Sequence, residues 1–131
     1  MTGKNTLYWQ HYTDVQPSEW LWPNFSPNEL ASRGNGSLKV DIDAIHKLQV
    51  MRDIVGRPMT ITSAYRDPRH NARVGGAPRS MHKQGRAFDI ALRGHNKEQL
   101  KQAAEEAGFG GIAFARSFMH VDNGRKRTWE Y

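Results

Sequence analysis

Ser80-Met-His-Lys-Gln-Gly-Arg-Ala-Phe-Asp89 is the most informative stretch of this chain. It carries an imidazole, His82, and a carboxylate, Asp89, seven residues apart, with Gly85 between them. Close neighbours on one helix face lie about three or four positions apart, so these two side chains do not meet on a helix. They converge if a loop carrying His82 turns at Gly85 into a strand carrying Asp89. The run from Arg86 to Leu92 predicts that strand.

A second short strand is predicted from Phe118 to Asp122, and it carries another imidazole, His120. Side chains alternate between the two faces of a strand, so His120 and Asp122 share a face and the apolar positions between them face the core. Two imidazoles and one carboxylate are the donors of a zinc site that keeps one position open. His82, Asp89 and His120 are therefore candidate ligands of such a site.

The carboxylate of Asp89 lies between the apolar side chains of Phe88 and Ile90. It needs a partner there, because burying an unpaired charge is costly. A divalent metal is one such partner, and a salt bridge to one of the arginines is the other. Spacing alone leaves both interpretations open.

Length and composition favour a single domain over residues 1–131, in which residues 1–25 form an aromatic N-terminal arm. The chain has no cysteine, so any metal must be held by His, Asp or Glu. No apolar run of signal-peptide length opens the sequence, and no apolar stretch is long enough to span a membrane. We therefore expect synthesis in the cytoplasm without a signal peptide.

The net charge of +6, from 19 Lys and Arg against 13 Asp and Glu, favours anionic partners. Nucleic acid and an anionic cell envelope both qualify, and simple solubility is the third interpretation. The basic residues are scattered, and neither a basic helix nor a repeated aromatic platform is present. We therefore expect no nucleic-acid partner.

Caps, glycines and apolar periodicity predict the remaining elements. Helices are expected from Pro27, over Asp41–Val55, from Pro68 to Val74 and over Lys97–Ala107. Further strands are expected over Met59–Ala64, Gly110–Ala115 and Thr128–Tyr131. The aromatic arm is expected to pack on the domain surface. Together these elements predict an α+β fold with a small, mostly antiparallel sheet and helices packed on one side.

The pattern Ser80-x-His82-x-x-Gly85-x-Ala87-x-Asp89, followed by His120, resembles the zinc signature of the zinc D-alanyl-D-alanine carboxypeptidase family. That family also contains peptidoglycan endopeptidases of many phage endolysins. The stretch from Thr62 to Ala77 resembles the segment before the signature in the carboxypeptidase branch. The likeness covers residues 23–124 and implies a Hedgehog/DD-peptidase-like fold.

By this resemblance one zinc ion would be held by His82, Asp89 and His120, and peptide hydrolysis would be metal-assisted. Arg66 would bind the carboxylate or carbonyl of the substrate and place positive charge at the reacting oxygen. Tyr65 would line the substrate site, and Ser80 would orient it through a hydrogen bond. The structural alternatives are a salt bridge from Arg66 to Asp67 or Asp89, and loop capping by Ser80.

The general base departs from the family pattern. Some members place Glu or Asp three residues before the last His ligand, where this chain has Ser117, and others place His two residues before it, where this chain has Phe118. Neither side chain can take a proton near neutral pH. Asp122 is the substitute, either as the proton acceptor or as the carboxylate that holds the tautomer of His120. Glu130 and the remaining histidines stay open.

The resemblance therefore implies a zinc-dependent peptidoglycan peptidase, a phage endolysin or cell-wall hydrolase that acts as a monomer on the periplasmic wall or the host envelope after release. Removal of the terminal D-Ala, cleavage between L-Ala and D-Glu, and crossbridge cleavage all fit one zinc centre. The alternative is a non-catalytic zinc-binding module, such as a virion component, because the fold does not guarantee the chemistry.

Overall fold

Residues 5–131 are described by a computed structural model, in which the strands form two sheets. The smaller sheet pairs β1 (Thr6–Trp9) with β2 (Leu38–Asp41) in antiparallel orientation. The larger sheet contains β3 (Ile61–Ser63), β4 (Ala87–Ala91), β5 (Gly111–Phe114), β6 (Phe118–Asp122) and β7 (Arg127–Glu130). Its order is β3-β4-β6-β5-β7, and every pair is antiparallel except β5 with β7, which is parallel.

Each α-helix begins after a residue whose side chain accepts a hydrogen bond from a backbone N–H in the first turn, as predicted for three of the four; Asp41 was predicted as a helix residue and is a cap instead. The helices are α1 (Pro27–Leu30), α2 (Ile42–Val55), α3 (Pro68–Arg73) and α4 (Lys97–Ala107), capped by Ser26, Asp41, Asp67 and Asn96. Short 3-10 helices cover Tyr12–Asp14, Pro17–Glu19 and Met81–Gln84. No helix within residues 5–131 combines the length and apolar composition needed to cross a membrane.

The larger sheet has one apolar face and one face that carries polar side chains. Phe88 and Ile90 of β4, with Met119 and Val121 of β6, belong to the buried core. Side chains of α2 and α4 complete the same core, among them Leu48, Met51, Leu100 and Ala104. The predicted α+β fold, with a mostly antiparallel sheet and helices on one side, is thereby confirmed.

The register of the strands assembles the polar face. Asp89 of β4 lies directly opposite His120 of β6, and Ala87 lies opposite Asp122. On the other side of β6, the small residues Gly111 and Ala113 of β5 lie opposite Asp122 and His120. Two of the three candidate ligands, Asp89 and His120, therefore occupy neighbouring strands that are joined by backbone hydrogen bonds.

The N-terminal arm is more deeply integrated than predicted. Trp22 and Phe25 are buried in the core rather than packed on the surface, and β1 forms a sheet with β2, a strand that the sequence did not predict. The arm shows no period because it combines a four-residue strand with two 3-10 turns. Residues 1–4 of the predicted arm lie outside the described residues, and the single-domain organisation stays a prediction.

Candidate metal centre

The loop that carries His82 forms a 3-10 helix, Met81–Gln84, which Ser80 caps by accepting a hydrogen bond from the His82 N–H at 3.2 Å. The chain then turns at Gly85, whose φ is +69°. A Cβ on Gly85 would lie 2.5 Å from the backbone oxygen of Lys39, so only glycine fits. This turn delivers the chain into β4, as the sequence predicts.

The three candidate ligands converge on one point. One oxygen of Asp89, Oδ1, lies 3.2 Å from His82 Nε2 and 3.2 Å from His120 Nδ1. One donor atom from each residue falls within 4.8 Å of the others. The three side chains are buried, with residue exposures of 3%, 4% and 5%.

Each imidazole has a second partner that determines which nitrogen is free to bind a metal. The Nδ1 of His82 lies 2.7 Å from the carbonyl oxygen of Ala64, so it donates there and leaves Nε2 as the ligand atom. The Nε2 of His120 lies 2.7 Å from Asp122 Oδ2, so it donates there and leaves Nδ1 as the ligand atom. The two free nitrogens are those that face Asp89, and this donor set fits zinc.

Hydrogen bonds within the cluster favour the charged forms of both Asp89 and His120. Burial disfavours the Asp89 carboxylate, but hydrogen bonds from His120 and His82 outweigh it and hold its pKa at about 2. Burial also disfavours the His120 imidazolium, but hydrogen bonds to Asp122 and Asp89 outweigh it and raise the pKa of His120 above its usual value. Without a metal, the cluster therefore favours a proton on the Nδ1 of His120.

Asp122 is fully buried, and both of its oxygens are occupied. Arg127 donates from Nη1 to Oδ1 at 2.9 Å and from Nη2 to Oδ2 at 2.8 Å, and the N–H of Gly124 donates to Oδ1. Burial alone would raise the pKa of Asp122, but the hydrogen bonds from His120 and Arg127 lower it far below its usual range. This geometry suits a carboxylate that orients His120 better than one that accepts a proton.

The Arg127–Asp122 pair reaches across β5 because that strand carries only small residues on this face. A Cβ on Gly111 would lie 2.3 Å from Asp122 Oδ1 and 2.4 Å from Arg127 Nη1. Ala113 similarly separates His120 from Trp129, whose ring centroid lies 5.2 Å from that of His120. The sequence signal for this arrangement is Gly111-x-Ala113-x-Ala115, one small residue at every second position.

Replacing Gly111 by alanine should force Arg127 and Asp122 apart and lower the free energy of unfolding by about 1–3 kcal/mol, because a buried carboxylate loses charged partners. Chemical denaturation of the metal-free variant measures this loss. Gly56→Ala is the control for adding a methyl group at a glycine, since a Cβ there meets nothing within 4 Å, although its φ of +74° brings backbone strain of its own. A Gly111→Ala protein as stable as the wild type would contradict the requirement for a small residue.

Arg66 lies beside the cluster with its side chain 19% exposed. Its Nη2 is 3.6 Å from Asp89 Oδ2, its Nε donates to Ser63 Oγ at 3.2 Å, and its backbone N–H donates to the carbonyl of His82. Of the two alternatives for a salt bridge, the structure shows the contact with Asp89. The guanidinium of Arg66 also lines the cleft that contains the three candidate ligands.

An open cleft of about 510 Å³ contains the three donors. Arg66, Ser80 and the loop at 74–79 line one part of it, and the aromatic side chains of Phe118, Trp129 and Tyr131 line another. Tyr65, predicted to line the substrate site, is buried elsewhere and is not among the lining residues. Ser80 both caps the 3-10 helix and lines the cleft, so its two predicted roles are compatible.

Three lining residues were not singled out from the sequence: Arg127, Trp129 and Tyr131, all on or next to β7. The strand itself was predicted, but its parallel pairing with β5 was not, and only that pairing brings its side chains over His120. Burial and the Asp89 charge raise the pKa of Tyr131, so its phenol remains a hydrogen-bond donor. Glu130 lies on the other side of β7, in a groove with Lys101.

A family model described as Peptidase M15 matches residues 23–122. The chain belongs to this family. The match confirms the resemblance drawn from the zinc signature, and it covers all three candidate ligands together with Asp122 and Arg66. It ends before β7.

Two relatives with peptidoglycan-related names are similar to this chain. The zinc D-Ala-D-Ala carboxypeptidase of Streptomyces albus G is 35% identical over 89 residues, which cover 63% of this chain and 35% of that protein. The peptidoglycan L,D-endopeptidase MepK of Escherichia coli (strain K12) is 27% identical over 106 residues, which cover 74% of this chain and 58% of that protein. The chain thus spans less than two thirds of the length of either relative.

Proposed function

We propose that this protein is a zinc-dependent peptidase that hydrolyses an amide bond in the stem peptides or crossbridges of peptidoglycan. The observation that carries the proposal is the convergence of His82 Nε2, Asp89 Oδ1 and His120 Nδ1 in an open cleft beside an arginine. The names of the two M15 relatives, a carboxypeptidase and an endopeptidase of peptidoglycan, supply the substrate class.

One zinc ion would be held by His82, Asp89 and His120. Zinc with three protein ligands acts as a Lewis acid and lowers the pKa of a coordinated water to about 7. The protein keeps the ligand nitrogens correctly protonated, through the Ala64 carbonyl for His82 and through Asp122 for His120. We assign Asp122 this orienting role, and Arg127 in turn holds Asp122.

Substrate binding would fall to the residues that line the cleft. Arg66 would bind a carboxylate or carbonyl oxygen of the stem peptide through its planar guanidinium and add positive charge where negative charge develops. The Ser80 hydroxyl would donate a hydrogen bond to the peptide backbone. Trp129 and Tyr131 would cover the His120 side of the bound peptide and exclude water from it.

The finer assignment is a phage endolysin or a cell-wall hydrolase, acting as a monomer on the periplasmic wall or the host envelope. The net charge of +6 supports this assignment, because it would concentrate the enzyme on an anionic envelope. A non-catalytic zinc-binding module is the second candidate. Ser117 and Phe118, at positions where other members carry an acid or a base, favour that alternative.

Digestion of purified peptidoglycan with zinc-loaded protein tests the proposal, with the products weighed by mass spectrometry and a chelator-treated sample as the control. A new product that disappears with the chelator establishes the peptidase and names the bond. Stoichiometric zinc without any product from whole wall or soluble muropeptides would overturn the proposal in favour of the non-catalytic module.

Zinc affinity should rise with pH up to the raised pKa of His120 and level off above it. Below that pKa a proton occupies the Nδ1 that must bind the metal, so one proton is released per zinc bound and affinity changes about tenfold per pH unit. Competition with a chromophoric chelator over about pH 5.5–8.5 measures the slope. An affinity independent of pH across this range would contradict the assignment of His120 as a ligand.

Protonation of His120, which weakens zinc binding, stabilises the metal-free protein. Because the folded-state pKa of His120 is raised, its charged hydrogen bonds stabilise the fold fully below the unfolded pKa of about 6.5. That contribution is lost as pH rises through the folded-state pKa. Metal-free protein therefore loses this part of its stability over the range in which zinc binding gains strength.

A further inference from the structure

Asn71 is a buried polar residue next to the cleft, with 2% of its surface exposed. Its side-chain amide contacts both the loop at 74–79 and the side chain of Arg66. Nδ2 donates to the carbonyl of Ala77 at 2.9 Å, and Oδ1 accepts from Arg66 Nη1 at 3.4 Å. Its backbone carbonyl also accepts from the N–H of Gly76 at 2.8 Å. One amide thus links the loop at 74–79 to the guanidinium of Arg66.

The loop approaches Asn71 so closely that a side chain would not fit at the contact. A Cβ on Gly76 would lie 2.1 Å from Asn71 Oδ1 and 3.1 Å from Arg66 Nη1. Gly75, just before it, has a φ of +75°, which lets the chain turn back toward the helix it has left. The loop, the amide and the guanidinium are therefore packed together.

The remaining contacts of Arg66 do not by themselves determine the plane of its guanidinium. Ser63 Oγ holds only Nε, and Asp89 Oδ2 lies 3.6 Å from Nη2. Asn71 supplies the contact on the remaining nitrogen, Nη1. Each of the three guanidinium nitrogens therefore has one contact, and Asn71 completes the set.

We propose that Asn71 is a positioning residue that fixes Arg66 and the loop at 74–79 in one arrangement, and that this arrangement is what recognises a substrate carboxylate in the cleft. The inference deepens the proposed function and rests on it for the identity of the bound group. Asn71 itself touches no substrate. It acts by keeping the Arg66 guanidinium in a fixed orientation, which lowers the entropic cost of substrate binding.

The first test compares two synthetic stem pentapeptides, one with free carboxylates and one with the carboxylates amidated. Asn71→Ala should raise KM for the free peptide by up to about 100-fold, the cost of a misplaced positioning group, and zinc affinity should change by less than about twofold. The amidated peptide should bind wild type and variant equally. Asn96→Ala, which removes the α4 cap outside the cleft lining, is the matched control and should leave KM unchanged.

The second test uses the close approach at Gly76. Gly76→Ala leaves the hydrogen-bonding groups of Arg66 intact but displaces Asn71 Oδ1, so it should reproduce the rise in KM. The double variant Asn71→Ala/Gly76→Ala should be no worse than Asn71→Ala alone, because the obstructing oxygen is gone. Additive effects, or a rise in KM that is equal for both peptides, would overturn the proposal.

A third measurement separates this inference from the proposed function. Rotation of the Arg66 guanidinium about its Cζ–Nε bond can be followed by NMR in zinc-loaded protein without any substrate. It should be slow in the wild type and in Asn96→Ala, and faster in Asn71→Ala. Rotation rates equal in all three proteins would refute the role of Asn71. If neither peptide binds to the wild type, the proposed function fails, and the rotation rate alone decides the positioning role.

Discussion

Replacing His82 by alanine should abolish hydrolysis and zinc binding while the protein remains folded. His82 supplies one of the three proposed ligand atoms. Removing an outer partner of a metal ligand already lowers metal affinity or activity by about 10- to 100-fold, so removing the ligand itself should cost more. The fold should persist because His82 lies in a 3-10 turn held by the Ser80 cap and by Gly85, rather than in the apolar core.

Two measurements on one preparation check this result: zinc content after dialysis, and release of soluble peptides from peptidoglycan. His95→Ala is the matched control, since His95 lies before α4 in a different groove and should keep both properties. Circular dichroism reports whether the fold survives. A His82→Ala protein that retains full activity would show that the ligands are assigned to the wrong residues.

Asp122→Asn should lower zinc affinity and kcat/KM together, each by about 10- to 100-fold. The asparagine keeps the shape of the side chain but weakens the hold on His120 Nε2–H and on Arg127. An orienting role therefore affects both quantities. If Asp122 is instead the proton acceptor, kcat should collapse while zinc affinity stays at the wild-type value, so titration with zinc separates the two roles.

The free energy of unfolding of Asp122→Asn should fall less steeply with decreasing pH than that of the wild type. The folded-state pKa of Asp122 is lowered, so its pairing stabilises the wild type above the unfolded pKa of about 4 and is lost as pH falls through the folded-state value. Urea unfolding of metal-free protein between about pH 2 and pH 5 should show a smaller decline for Asp122→Asn than for the wild type. Identical slopes would mean that Asp122 is not paired in solution.

Much of the fold was predictable because its signals are local. Caps and terminal glycines mark α2 and α4 to within a residue, and alternation along Phe118–Asp122 separates the core face from the ligand face. The candidate ligands His82, Asp89 and His120 were predicted from spacing together with a family signature, and the structure brings their donor atoms within 4.8 Å.

The features that were missed depend on contacts between distant parts of the chain. The pairing of β1 with β2 and the burial of Trp22 carry no periodic signal in such short segments. The place of Arg127 over Asp122 depends on a parallel neighbour strand and on Gly111 lying between them. Asn71 lay within the recognised stretch, but its role emerges only where the loop folds back onto Arg66.

The direct pairing of Asp89 with His120 across β4 and β6 has a practical consequence for handling the protein. Backbone hydrogen bonds and a shared apolar core hold these strands together, so two of the three ligands are in place before any ion arrives. Zinc-finger domains differ, because they unfold when their ion is removed. We expect that zinc can be removed from the folded protein and that the proposed activity returns on reloading at the rate of ion diffusion rather than of refolding.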